Sequence, residues 1–102
     1  MDRDEAIGRI RAGLRRRTAL DWTVKGGRGT AWGWITIAAP PRRRVGYDYT
    51  SPEDRRVLAA ALGLEAVHQQ GISIPAGTDY YREYVDRAEG RVPSVRGTPY
   101  WD

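Results

Sequence analysis

The chain reads as a single α+β domain, a small antiparallel sheet flanked by three helices in the order α-β-β-α-β-α, with an extended C-terminal tail. Three observations predict it. Apolar residues recur at helical spacing near the start, the middle and the end of the chain. Two alternating runs meet at a glycine-rich turn. Proline and glycine separate the remaining segments. The chain has 102 residues, the size of one domain. A chain of that size buries about two-thirds of its unfolded surface and folds without staples.

The first helix is expected over 2–17. Asp2, Asp4 and Glu5 open it and Arg15, Arg16 and Arg17 close it, placements that suit the helix dipole. Ile7, Ile10 and Leu14 form a narrow apolar stripe flanked by Ala6 and Gly13, with Arg3, Arg9, Arg11 and Arg16 off it. Over 21–25 the pattern alternates, Trp22 and Val24 facing one way and Thr23 and Lys25 the other. Gly26, Gly27, Arg28 and Gly29 make a turn. Over 30–38 the alternation resumes, with Ala31, Gly33, Ile35 and Ile37 on one face and Thr30, Trp32, Trp34 and Thr36 on the other. Two such runs around glycines predict a β-hairpin.

Pro40 and Pro41 end the second strand, because neither can donate to a ladder. A basic loop carrying Tyr47 and Tyr49 follows. Ser51 is an N-cap, Pro52 suits the first helical position, and Glu53 and Asp54 fill the first turn. This second helix runs to about Leu62 and ends at Gly63, with Leu64 folding back. Residues 65–70 predict one more helical turn, and Ile72 and Ile74 a short strand stopped by Pro75. The last helix starts at Gly77 or Thr78 and runs to about Glu89. Tyr81, Tyr84, Val85 and Ala88 face inward, and Glu83 and Arg87 are placed as a favourable i, i+4 pair. Residues 91–102 form the tail. No internal repeat interrupts this order.

Composition removes several classes of function. There is no cysteine, hence no disulfide, no thiolate nucleophile and no cysteine zinc site. One histidine, His68, makes a poor metal set, and no metal is expected. No apolar run reaches spanning length and the N-terminus is charged, so the expected setting is cytoplasmic, with no membrane partner. The turn at 26–29 lacks a following Gly-Lys-Ser/Thr, so it is no Walker loop, and no cofactor is expected. The chain carries 17 Lys+Arg against 13 Asp+Glu and a pI near 9.8. Lys25 is the single lysine. An arginine excess suits phosphate and acidic partners, although a GC-rich coding sequence produces the same bias.

Four places could carry chemistry. At the hairpin, Lys25, Arg28 and Gly29 lie beside Trp32 and Trp34; cations next to flat aromatic rings suit single-stranded nucleic acid. Equally, two tryptophans can be core residues under flanking helices. Arg42, Arg43 and Arg44 form a short basic run fit for a phosphate backbone, or a solvated loop. His68, with Gln69 and Gln70, could act as a base or read a nucleobase edge, with Asp79, Glu83 or Asp86 as its partner; a structural histidine is the plainer reading. Tyr80, Tyr81, Tyr84, Tyr100 and Trp101 make an aromatic end suited to a protein interface, or a latch on the domain itself. A helix-turn-helix over 57–73 fails, because Gly71 leaves its second helix too short for the major groove.

The run Lys25-Gly26-Gly27-Arg28-Gly29-Thr30-Ala31-Trp32-Gly33-Trp34-Ile35 resembles a group of small bacterial and phage proteins of unassigned activity. The resemblance continues through 68–71, 79–84 and 99–102. The helix-then-hairpin half is also loosely similar to accessory modules of polyvalent proteins in phages and conjugative elements. This implies a mobile-element setting near nucleic acid or host defence, and it implies no catalytic residues. The leading expectation is a non-catalytic module that binds nucleic acid or a nucleic-acid-handling complex. The alternatives are a protein-binding inhibitor or adaptor of a host defence complex, and a small hydrolase or nuclease using His68.

Overall fold

The structure, a computed structural model, describes residues 1–97. It has the predicted order: α1 (Arg3–Thr18), β1 (Thr23–Gly26), β2 (Ile35–Ala38), α2 (Pro52–Leu62), β3 (Ile72–Ile74) and α3 (Thr78–Ala88). Short 3-10 turns at Gly29–Ala31 and Pro41–Arg43 bracket β2. The sheet is antiparallel in the order β1-β2-β3, with Val24 opposite Ile37, Lys25 opposite Thr36, and Thr36 opposite Ser73.

Local signals set most boundaries. The Asp2 side chain accepts the Glu5 N–H at 2.8 Å, and Ser51 Oγ accepts the Asp54 N–H at 3.1 Å, so both helices start on side-chain caps. Gly63 adopts the left-handed conformation that ends α2, and the Leu64 N–H reaches back to Ala59 O. Ala19 ends α1 in the same left-handed region despite its Cβ, where no glycine advertises the stop. Residues 65–70 contain no helical turn, contrary to expectation. Thr50 N–H takes Gln69 O, and Gly71 N–H takes His68 O, so the segment's polar groups are spent on a tight turn into β3. The helix-turn-helix alternative therefore has no second helix.

The core lies on one side of the sheet. Val24, Ile35, Ile37 and Ile74 are buried with Ala6, Ile10 and Leu14 of α1, Leu58 and Leu62 of α2, and Tyr81, Val85 and Ala88 of α3. Trp22 joins them, its indole N–H donating to Thr18 Oγ1 at 2.9 Å. All three helices thus cover one sheet face and leave the other open.

The helix layer is closed by α1 on α3. Arg9, Gly13 and Arg17 recur at four-residue spacing, which places them on one face of α1. A Cβ on Gly13 would stand 2.7 Å from Ala88 O. Arg9 forks onto Glu89 at 3.2 and 3.0 Å, and Arg17 Nη1 donates to the carbonyls of Ala61, Arg87 and Ala88 at 2.8 to 3.1 Å. The predicted Glu83–Arg87 pair forms at 3.0 Å, but buried, and Arg87 continues to Leu62 O at 3.0 Å. Arg11 Nη2 donates to Val24 O at 2.6 Å along the outer edge of β1.

Two predictions follow from this layer. Gly13→Ala forces a side chain against backbone, which costs about 1–3 kcal/mol and outweighs a helix-propensity gain of about 0.5–1 kcal/mol. At Gly8 of the same helix a Cβ would meet nothing within 4 Å. Urea unfolding should therefore show Gly13→Ala destabilised and Gly8→Ala stabilised by about 0.5–1 kcal/mol. Opposite signs are required; equal effects would remove the close approach as the cause.

The Arg9 guanidinium, with Arg91, holds Glu89 below the usual carboxylate range, and Arg91, with the Ser94 N–H, does the same for Asp86. A carboxylate with a depressed folded pKa stabilises the fold while ionised, and loses that contribution as pH falls through its folded pKa. Stability should hold from neutral pH down to about pH 5 and then decline. Glu89→Gln should lower stability at pH 7 and flatten the decline, read from urea midpoints across the range.

Candidate functional site

The face of the sheet turned away from the helices is polar and small. Thr23, Lys25, Thr36, Ala38 and Ser73 line it, with Lys25 and Ser73 exposed. Strand alternation explains the pattern: the core needs every second residue, and the intervening ones are short or charged. No Asp or Glu occurs between Asp21 and Asp48, nor between Glu65 and Asp79. All three strands and the loop before β2 fall inside those two windows, as does the loop after β2 as far as Tyr47. The first window holds Lys25, Arg28, Arg42, Arg43 and Arg44. Among the described residues the strands of the open face carry one charged side chain, Lys25; Asp4, paired to Arg3 at 3.2 Å, and Asp48, next to Tyr47, are carboxylates at its ends.

The hairpin departs from the predicted long strand. Residues 30–34 do not continue β2. Instead 27–34 closes on itself: Gly27 N–H takes Trp34 O at 2.8 Å, and 3-10 bonds run from Ala31 to Arg28 and from Trp32 to Gly29. A Cβ on Gly27 would lie 2.1 Å from Ala31 O, so the tight fold demands glycine there. Trp32 and Trp34 consequently do not share a strand face, and Lys25 stands opposite Thr36 rather than beside them. The cation at Trp32 is Arg3 of α1. Its guanidinium stacks 3.9 Å from the ring centroid, and Nη1 donates to Trp32 O at 2.7 Å and Gly27 O at 3.2 Å. Trp32 remains 58% exposed, one face backed by Arg3. Trp34 is half-buried. The Tyr81 hydroxyl donates to Gly33 O and ties the loop to α3. Lys25, Arg28 and Gly29 are exposed, and neither cation makes a side-chain hydrogen bond or ion pair to a described residue.

The three loop arginines divide. Arg43 forks onto the buried Asp54 carboxylate with two 2.8 Å bonds and is committed there. Arg44 lies over the end of the open face, donating to Ala39 O at 2.9 Å and Thr23 Oγ1 at 3.3 Å. Arg42 is exposed with no partner among the described residues. Beyond them Val45 and Tyr49 exchange both backbone hydrogen bonds across a tight turn, and Tyr47 stands at its tip, 88% exposed. The sequence places Tyr47 and Tyr49 with the basic run 42–44; the turn that projects Tyr47 is made by Gly46 and Asp48, both with positive φ.

His68 lies at the β3 edge of the open face. Its Nδ1 accepts the Gln70 N–H at 3.3 Å. Among the described residues no carboxylate reaches it. Glu83 is held by Arg87 and the Gly97 N–H, Asp86 by Arg91 and Ser94, and Asp79 is exposed in the first turn of α3. No three His, Asp or Glu side chains of the described residues gather as a metal set. No helix there is long and apolar enough to cross a membrane.

The aromatic end is largely turned inward. Tyr81 is buried, Tyr84 is half-buried beside Arg87 with its phenol pushed up by burial, and Tyr80 carries Gly97 against its ring. Tyr100 and Trp101 lie outside the described residues. No family model, curated protein or solved structure matches this chain.

Arg3→Ala should release the 27–34 loop, speeding amide exchange at Ala31, Trp32 and Trp34 and lowering stability by about 1–2 kcal/mol. Arg3→Lys should restore little, because an ammonium cannot both stack and fork. Unchanged exchange in Arg3→Ala would mean that the loop holds itself.

Proposed function

We propose that this protein is a non-catalytic module that binds single-stranded nucleic acid across the open face of its sheet. The observation that supports this most is the polar sheet face left uncovered by the helices, with Lys25 on its strands and exposed arginines in the loops at its ends. Lys25 and Arg28 at the hairpin and Arg42 and Arg44 at the opposite end offer phosphate contacts along the strands. An exposed aromatic marks each end: Trp32, backed by Arg3, and Tyr47 on its turn. Stacking on such rings contributes about 1–3 kcal/mol per base without regard to sequence. Arg43 serves the fold rather than the ligand, and Trp34 supports the hairpin.

The phage or mobile-element setting rests on the loose similarity of the helix-then-hairpin half to accessory modules of polyvalent proteins. The adaptor reading gains nothing from α3, whose tyrosines pack on their own domain. The hydrolase reading finds no carboxylate partner for His68 among the described residues.

Tryptophan quenching and anisotropy with a labelled single-stranded oligonucleotide test the proposal. Saturable binding should weaken steeply with salt, and Lys25→Ala and Arg28→Ala should each reduce the slope of log K against log salt by about 0.7. Trp32→Ala should weaken binding about fivefold or more at constant slope. Absence of binding at low salt to both DNA and RNA would overturn the reading.

A further inference from the structure

The open face ends at a groove that the phosphate contacts do not use. It lies between β2, β3 and the turn before β3, holds about 450 Å³, and is lined by Thr36, Ala38, His68, Gln70, Ile72 and Ser73. That volume falls within the range of small-molecule sites. Gly71 makes it possible: a Cβ there would stand 2.0 Å from Ile37 O, so only glycine lets the turn press against β2 and present its side chains at the rim.

The chemistry of the lining is specific. It contains neither carboxylate nor cation, so it suits no phosphate and no metal. Ala38 is apolar, while Ile72, opposite Ile37, turns its side chain to the core side of the sheet. Around Ala38 stand two hydroxyls, a carboxamide and an imidazole, which together donate and accept hydrogen bonds. The Nδ1 of His68 accepts the Gln70 N–H at 3.3 Å, which leaves Nε2 for a ligand. The carboxamide of Gln70 is exposed and makes no hydrogen bond to a described residue, leaving a donor and an acceptor side by side. Thr36 spends its proton on Lys25 O at 3.4 Å and keeps its lone pairs. A flat, neutral ligand with alternating donors and acceptors along one edge meets this set, and a carboxamide paired to such an edge is a standard means of reading a base. Lys25, opposite Thr36, stands on the same face for the adjoining phosphate.

We propose that this groove is a nucleobase pocket in which Gln70 and His68 read the base edge, and that it gives the module a preference for one base. The proposal rests on the strand-binding reading only for the strand to which that base belongs. Free nucleosides, which carry no phosphate, separate the two. In a 1H–15N titration with adenosine, guanosine, cytidine and uridine, one nucleoside should move the amides of Gln70, Gly71 and Ser73 saturably and more than the other three. Among homopolymeric oligonucleotides the preferred base should bind about tenfold tighter, and Gln70→Ala or His68→Ala should erase that preference while leaving the salt slope unchanged. Gln69→Ala, one residue away, should keep the preference, and circular dichroism confirms that each variant is folded. Oligonucleotide binding with unmoved 68–73 amides would overturn the pocket and leave strand binding standing. Nucleoside shifts without oligonucleotide binding would support the pocket and overturn the strand. Silence in both would overturn both.

Discussion

The approach of α1 to α3 at Gly13 is the constraint on which the rest of the structure depends. A three-stranded sheet with strands of three or four residues is too small to cover a core by itself. Its apolar face needs helices packed side by side, and α1 and α3 must come close enough to leave no gap. Gly13 allows helix and backbone to meet, Arg9 and Arg17 bracket the contact one turn away on either side, and Arg87 carries the same network to the end of α2. Exposed helix C-termini present bare carbonyls. Here arginine side chains from neighbouring helices satisfy several of them, so charge spent on architecture closes the layer.

That use of arginine changes what the basic composition means. Arg3, Arg11, Arg17 and Arg87 all donate to backbone carbonyls, and Arg9, Arg43 and Arg91 fork or pair with carboxylates. Net charge therefore overstates the cations offered to a partner. Their placement is more informative than their number: Lys25, Arg28 and Arg42, unpaired among the described residues, lie on or at the ends of a sheet face that no helix covers.

Much of the fold was legible because its signals are local. Asp2, Ser51, Pro52, Gly63 and Pro75 act within a few residues of themselves, and the strict alternation of Ile35, Ile37, Ile72 and Ile74 assigns the buried face. The failures have the opposite character. Residues 30–34 alternate like a strand, yet Arg3, distant in sequence, takes Trp32 O and Gly27 O and rewards a closed loop instead. Arg9 looked like a residue off the apolar stripe because its partner, Glu89, lies at the other end of the chain. Ala19 ends a helix without a glycine. At the candidate site, the residue types at the hairpin and at 68–70 were visible, but the exposure of Trp32, the diversion of Arg43 and the projection of Tyr47 depend on tertiary neighbours that no spacing encodes.

The bond from Arg11 to Val24 O has one more consequence. An unpaired strand edge is a template on which another chain can add, and such edges seed aggregation. On β1 a guanidinium occupies a carbonyl that an incoming strand would need, and the positive charge stands in its path. On the other side β3 offers only three residues before Pro75 removes a donor. Both borders of the sheet are thereby blunted by different means, which lets a domain with a bare sheet face remain a single sheet instead of joining its neighbours edge to edge.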